Sequence, residues 1–317
     1  MKIIFLGTPE FAVASLDILV QNNYKIVGVI TAPDKPAGRG RQITQSAVKK
    51  YALENAIPVL QPTNLKDPDF LEELKSLKAD LQIIVAFRML PEAVWNMPQL
   101  GTFNLHASLL PQYRGAAPIN WAIINGEKYT GVTTFFLNHD IDTGNIILQE
   151  KVTITDDETA GELHDKLMKK GSELVLKTVQ QIEAKNYTLI TQDQLISENN
   201  EPKKAYKIFK ETCKIDFNDT TENVYNKIRG LSPYPTAWFE LQSINKTIYS
   251  FKVFSATKRS GKEMNTAIET DNKSYLYIKT CDGAISIEEL QLSGKNRMKT
   301  GDLLKGFKIE NDWRLVY

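Results

Sequence analysis

The 317-residue chain has 42% hydrophobic and 24% charged residues and a formal net charge of +1, the composition of a globular protein long enough for two cores. Near-neutrality excludes a global basic field that would itself indicate a nucleic-acid partner, so any such argument must be local. Cys213 and Cys281 lack C-x-x-C spacing or a neighbouring histidine, which excludes a disulfide framework and a zinc site and predicts two reduced core thiols; without a signal-peptide pattern or an apolar run of membrane-span length, a cytoplasmic protein is expected.

Lys2–Leu6 is a short apolar run, as in a strand buried on both faces. Gly7-Thr8-Pro9 then turns into a helix, with Thr8 expected as N-cap and Pro9 as its first residue. Ala12, Leu16 and Leu19 recur at helical spacing, and Tyr24–Thr31 makes a second strand. This βαβ opening predicts a parallel sheet. Its glycine pattern, G-x-x-x-F, lacks the G-x-G-x-x-G that brings backbone against a pyrophosphate, which argues against a dinucleotide cofactor. The stretch Ala32–Arg41 reads as an irregular loop clustering Lys35, Arg39 and Arg41, either a solvated surface or an arm that meets phosphates. Helices over Ser46–Asn55 and Asp69–Leu77 flank a short strand at Val59 and Leu60.

Asp80–Phe87 is a further strand, running into Arg88-Met89-Leu90-Pro91. In Gly101–Pro111, Asn104 and His106 alternate with apolar residues. Side chains two apart in a strand share a face, and the C-terminal ends of parallel strands are where open sheets bind ligands. Alone, such a pair is most simply a sheet-end asparagine and a hydrogen-bonded histidine. A third group tips the balance: Asp142, in His139-Asp140-Ile141-Asp142-Thr143-Gly144, follows the next strand, Thr130–Asn138. Asn104, His106 and Asp142 on successive strand ends supply an oxyanion donor, a proton carrier and its orienter. Between them come a loop, Gln112–Ala117, and a helix over Pro118–Asn125 closed by Gly126. Ile146–Ile154 follows as an edge strand. Glu158–Ala184 is an amphipathic helix with Leu163, Leu167, Leu174, Val175 and Ile182 on its apolar face; His164 on it reads as structural.

From Thr191 to Lys204 the chain turns polar, as a linker does. Beyond it, short alternating strands at Cys213–Asp216, Ala237–Leu241, Thr247–Ala256, Tyr275–Thr280 and Ala284–Leu290, with a helix over Glu222–Arg229, predict a small β-barrel of the OB type. Lys203, Lys204, Lys207, Lys210, Lys258, Arg259, Lys262, Lys295, Arg297 and Lys299 are either its solvated face or a groove that tracks a phosphate backbone. The expected architecture is α/β: a Rossmann-like, mostly parallel sheet domain over residues 1–190, a linker over 191–204 and an OB-like barrel over 205–317.

Three runs of residues, Asn104-Leu105-His106-Ala107-Ser108-Leu109-Leu110-Pro111, Tyr113-Arg114-Gly115-Ala116-Ala117-Pro118-Ile119 and Asp142-Thr143-Gly144, resemble the methionyl-tRNA formyltransferases. Gly7–Phe11, Pro33–Gly40 and Ile228–Trp238 look like further motifs of that family. The Asn, the His and the Asp-Thr-Gly are shared with other folate-dependent formyltransferases, whereas the basic loop and the C-terminal domain point to tRNA. The resemblance implies transfer of a formyl group from 10-formyltetrahydrofolate to the methionine amino group of initiator methionyl-tRNA, with no metal and no obligate protein partner. It implies catalysis by Asn104, His106 and Asp142, a folate site lined by Ser108, Leu109, Leu110 and Pro111, and tRNA contacts from Arg39 and Arg41. Phe87-Arg88 stands where the family usually has Tyr-Gly, and the Arg88 side chain is expected to turn away from the folate. The rivals are a formyltransferase with a small amino acceptor and a non-catalytic RNA-binding protein.

Overall fold

The computed structural model describes residues 1–37, 42–196, 201–260, 264, 266–310 and 312–316; Arg39, Arg41 and Lys262 therefore lie outside the described residues. The chain divides into two units. The first holds Met1–Gly115, Thr130–Thr153 and His164–Lys204, the second Ala116–Tyr129, Ile154–Leu163 and Ala205–Tyr317.

In the first unit the apolar runs form Lys2–Gly7 (β1), Lys25–Ile30 (β2), Val59–Leu60 (β5), Leu81–Val85 (β6) and Thr102–His106 (β7). β1 pairs in parallel with β2 and β6, β2 with β5 and β6 with β7. Tyr129–Phe136 (β9) adds antiparallel to β7, and Ile146–Thr153 (β10) lies at the edge, giving the order β10-β9-β7-β6-β1-β2-β5. The parallel order reverses between β1 and β6, the kind of position at which open α/β sheets bind ligands beyond the strands' C-terminal ends. Gly7 is required there by space, since a Cβ on it would lie 2.6 Å from that of Ala12 in helix Glu10–Gln21 (α1). Ala47–Glu54 (α2), Pro68–Ser76 (α3), Glu92–Trp95 (α4) and Ala160–Glu183 (α6) are the helices of residues 47–95 and 160–183. In α6 the five expected apolar residues are all buried.

Several local expectations are corrected. Pro9, not Thr8, is the N-cap of α1, and no side chain caps that end. The Ala32–Arg41 stretch is not wholly irregular: Lys35–Ala37 (β3) pairs antiparallel with Gln42–Thr44 (β4). Pro36 is tolerated because a two-stranded hairpin leaves it an unbonded edge. The approach to the hairpin is anchored by Lys49, whose Nζ lies 2.6 Å from both Asp34 Oδ2 and Gln61 Oε1, while Gln61 Nε2 donates to Asp34 Oδ1 at 2.8 Å. The hydrogen bond from Lys49, then that from Gln61, holds the Asp34 carboxyl below its ordinary range. Cys281 is exposed rather than in a core, while Cys213 is buried as expected; both are free.

The second unit includes Pro118–Ile124 (α5) and Thr221–Gly230 (α7) beside an antiparallel sheet. Its strands are Ala237–Gln242 (β12), Ile248–Arg259 (β13), Ile268–Thr270 (β14), Leu276–Lys279 (β15), Ala284–Leu292 (β16), Met298–Lys299 (β17) and Arg314–Val316 (β18). They run in the order β14-β15-β16-β13-β12-β18, with β17 on β16, and wrap as an OB-like barrel around one core in which Phe239 stacks on Phe251 at 5.1 Å. Two further two-residue strands, Arg114–Gly115 (β8) and Lys204–Ala205 (β11), pair with each other. Cys213–Asp216 is not a strand. Glu211–Cys213 is a turn of 3-10 helix, and Lys214 makes only a single bridge to Trp238. The short β14, β17, β18 and helix Thr300–Leu304 (α8) were not expected, because pieces of two to five residues carry too little periodicity.

The Arg229 side chain is buried beneath α7, where Nη1 donates to the Glu158 carbonyl at 3.0 Å and Nε to Asn226 Oδ1 at 2.8 Å. Arg229→Met keeps the apolar stem and strands these acceptors, so it should cost at least about 2 kcal/mol. Urea unfolding of the variant measures this, and an unchanged midpoint would rule out a structural role for the guanidinium.

Candidate active site

β7 ends the parallel array, and its alternation turns Phe103 and Leu105 to one face and Asn104 and His106 to the other. The first pair is buried, with Leu105 against Gly171 of α6, where a Cβ would come within 2.7 Å of Leu105 Cδ2. β9 fixes the register from the other side, setting Asn104 opposite Phe135 and His106 opposite Thr133.

Thr133 also holds the segment that follows β7. Its hydroxyl donates to the Ser108 carbonyl at 2.6 Å and accepts from the Leu110 N–H at 3.2 Å, while Gln149 Nε2 donates to Leu110 O at 2.8 Å. The side chains of this segment face the protein. Ser108 Oγ donates to Gln112 O at 2.6 Å, Leu110 packs with Phe135 and Ile146, Pro111 is buried, and half-buried Leu109 lies against Gly131.

The His106 Nε2 lies 2.8 Å from the Tyr113 carbonyl oxygen. A carbonyl only accepts, so Nε2 carries the hydrogen and Nδ1 is the nitrogen left for proton exchange. Nδ1 faces Asp142 Oδ2 at 3.8 Å, close enough for charge attraction and too long for a direct hydrogen bond. Asn104 Oδ1 is buried with no hydrogen-bond partner among the described residues. Such a group is costly unless something completes its bonding.

Asp142 has φ +55°, a left-handed conformation that aspartate tolerates better than most residues. Its Oδ2 accepts the Gly115 N–H at 3.0 Å. Gln192 Nε2 donates to the carbonyls of both Asp142 and Gly144 at 2.9 Å. Arg114 in turn donates to Gln192 Oε1 through Nε at 2.9 Å and Nη2 at 2.7 Å. Sequence reasoning missed both Arg114 and Gln192. Gln192 sits at the start of the polar stretch read as linker, yet is only 2% exposed, and a solitary glutamine carries no pattern.

The structure thus brings Asn104, His106 and Asp142 together. Arg88 binds the carbonyls of Pro62 at 2.6 Å and Thr63 at 3.2 Å. His139 is exposed, 3.9 Å from Glu92 and edge-on to Trp95. Two large apolar side chains of the loops after β6 and β9, Met89 and Ile141, are 71% and 60% exposed. Among the described residues no cluster of His, Cys, Asp and Glu could hold a metal ion, and no helix is long and apolar enough to cross a membrane. The arrangement suits transfer of an acyl-type group: a side-chain amide to bind an oxyanion, a proton-accepting nitrogen and a fixed carboxylate.

Residues 1–179 match the family model described as formyl transferase, and residues 207–308 that of the formyl transferase C-terminal domain. The chain is 54% identical to the methionyl-tRNA formyltransferase of Azobacteroides pseudotrichonymphae, over 96% of this chain and 95% of the relative. It is 52% identical to that of Bacteroides thetaiotaomicron, over 99% of this chain and 98% of the relative. A solved N-formyltransferase from Helicobacter canadensis, in complex with folinic acid and dTDP-3-aminofucose, superposes with a TM-score of 0.66 at 26% identity, covering 90% of this chain and 98% of that one.

The loop geometry can be checked without any substrate. A Cβ on Gly144 would lie 1.7 Å from the Phe136 carbonyl oxygen, so Gly144→Ala must displace the loop. The Gly115 amide, hydrogen-bonded to Asp142, should then exchange with solvent faster in hydrogen-exchange measurements, and the melting temperature should fall. Unchanged protection at Gly115 would show that the loop position does not depend on Gly144.

Proposed function

The chain belongs to the formyl transferase family, alongside the methionyl-tRNA formyltransferases, and on that premise we propose how its residues move a formyl group from 10-formyltetrahydrofolate to the methionine amino group of initiator methionyl-tRNA. The observation that carries the reading is the convergence of Asn104, His106 and Asp142, with Nε2 of the histidine tied to a carbonyl and Nδ1 turned to the carboxylate.

Transfer requires a neutral amine to attack the formyl carbon. A new C–N bond forms, the carbonyl oxygen takes up negative charge, a proton leaves the attacking nitrogen, and a proton reaches the departing nitrogen as its bond to carbon breaks. Asn104 Nδ2 donates to the oxyanion. His106 Nδ1 takes the proton from the amine and returns it to the departing nitrogen, with Asp142 beside it to hold the ring's orientation and attract the transient positive charge. The folate supplies a formyl group already activated toward amines. Its fit is supported by the unpartnered Asn104 Oδ1 and by exposed Met89 and Ile141, apolar surface for a flat heterocycle. Since Ser108, Leu110 and Pro111 direct their side chains into the protein, contact from Ser108–Pro111 is assigned mainly to main-chain atoms. Arg39 and Arg41 are assigned to tRNA on charge alone, and a tRNA substrate places the protein in the cytoplasm.

The decisive experiment is incubation with 10-formyltetrahydrofolate and methionyl-tRNA, with formyl-methionine as product. Formylation of a nucleotide-linked amino sugar instead would establish the rival reading, and no transfer to either would remove the enzyme assignment. Asn104→Ala should lower kcat by roughly a hundredfold or more with little change in folate affinity; near-normal turnover would refute the oxyanion role. Asp142→Asn with His106→Asn should cost far less than the sum of the two single losses in free energy, because the pair acts as one device. Additive losses in steady-state kinetics would show that each works separately.

A further inference from the structure

In the second unit, residues 206–214 present aromatic rings and ammonium groups from a backbone that is itself held in place. Two tryptophans do the holding: Trp121 Nε1 donates to the Tyr206 carbonyl at 2.7 Å, and Trp238 Nε1 donates to the Lys210 carbonyl at 2.8 Å. Between them the Phe209 carbonyl accepts from the buried Cys213 thiol at 3.2 Å. The rings carried by this braced backbone nevertheless stand in solvent, Tyr206 at 64% and Phe209 at 57% exposure. One cation lies over Phe209, and two more lie over the bracing Trp238. Lys207 Nζ lies 5.4 Å from the Phe209 ring centroid, and Lys210 and Lys214 Nζ lie 5.6 and 5.3 Å from that of Trp238. Among the described residues no carboxylate pairs with Lys207 or Lys210, while Lys214 faces Glu240 at 3.8 Å.

We propose that Tyr206 and Phe209 are a stacking platform for unpaired nucleotides of the tRNA, with Lys207, Lys210 and Lys214 meeting the accompanying phosphates; this rests on the tRNA reading above. Every base has a π face, and exposed aromatics set among cations are how proteins hold single-stranded nucleic acid. A protein partner fits less well, since lysine is depleted at the cores of protein interfaces. The bracing of the backbone also matters: a platform ordered before binding loses less entropy on contact. The unpaired segment that the reaction itself must engage is the 3′ tail that carries the methionine.

The test measures dissociation constants of the full-length protein for uncharged initiator tRNA, intact and with its unpaired 3′ nucleotides removed, at two salt concentrations. Phe209→Ala and Tyr206→Ala should each weaken binding of intact tRNA by about five- to a hundredfold, with the salt slope unchanged because no charge is lost. Binding of the truncated tRNA should be unaffected by either variant, and Phe209→Trp should restore the intact value. Lys207→Ala should instead reduce the salt slope by about one unit. Equal losses for both tRNAs would overturn the assignment to the tail. Unchanged affinity for both, as for a protein-docking face, would overturn the platform while leaving the formyl-transfer reading standing. If the unaltered protein binds no tRNA, both readings fall together.

Discussion

The pair of hydrogen bonds from Gln192 to the carbonyls of Asp142 and Gly144 is the constraint on which the site depends. A carboxylate that must face a histidine at the end of a different strand cannot be fixed by its own strand, because β9 ends before Asp142 is reached. The loop must turn back through a left-handed residue and be held there from outside. Gln192 does this with one side-chain amide whose oxygen is in turn occupied by Arg114. Arg114 immediately precedes Gly115, whose N–H binds the Asp142 carboxylate directly. One short stretch thus supports both the backbone and the side chain of the same residue.

Different rules made different parts legible in the sequence. Period-two alternation put Asn104 and His106 on one face, and helical spacing predicted the buried side of α6, because both patterns arise from burial against a core. The Asp142 partnership came from residue chemistry at the strand end. Arg114 and Gln192 escaped because hydrogen bonds between side chains remote in sequence leave no period, and the polar setting of Gln192 matches that of a solvated linker. The hairpin of β3 and β4 escaped for the opposite reason: Pro36, a residue type that ordinarily forbids pairing, is accommodated where only one edge needs to bond. The 3-10 turn at Glu211–Cys213 shows a third limit, since a few apolar residues next to a strand read like another strand.

The segment Ser108–Pro111 shows how a motif can be recognised without its physical role being legible. The resemblance implies that it lines the folate site and leaves open whether side chain or backbone does so. Its side chains serve packing and internal hydrogen bonds, with the Thr133 hydroxyl bonded to both Ser108 and Leu110. A motif shared among relatives records that a position is constrained, not whether side chain or backbone bears the constraint.

The first unit takes its residues from three separate stretches of the chain, and the last of these contains Gln192. During synthesis the strand that carries Asn104 and His106 and the loop that carries Asp142 leave the ribosome well before the residue that clamps that loop, and long-range closures of this kind come late in folding. The nascent protein therefore passes through a stage with its sheet available and its catalytic loop unclamped. A ribosome-stalled chain ending before residue 192 would expose that loop to proteases that the finished protein resists.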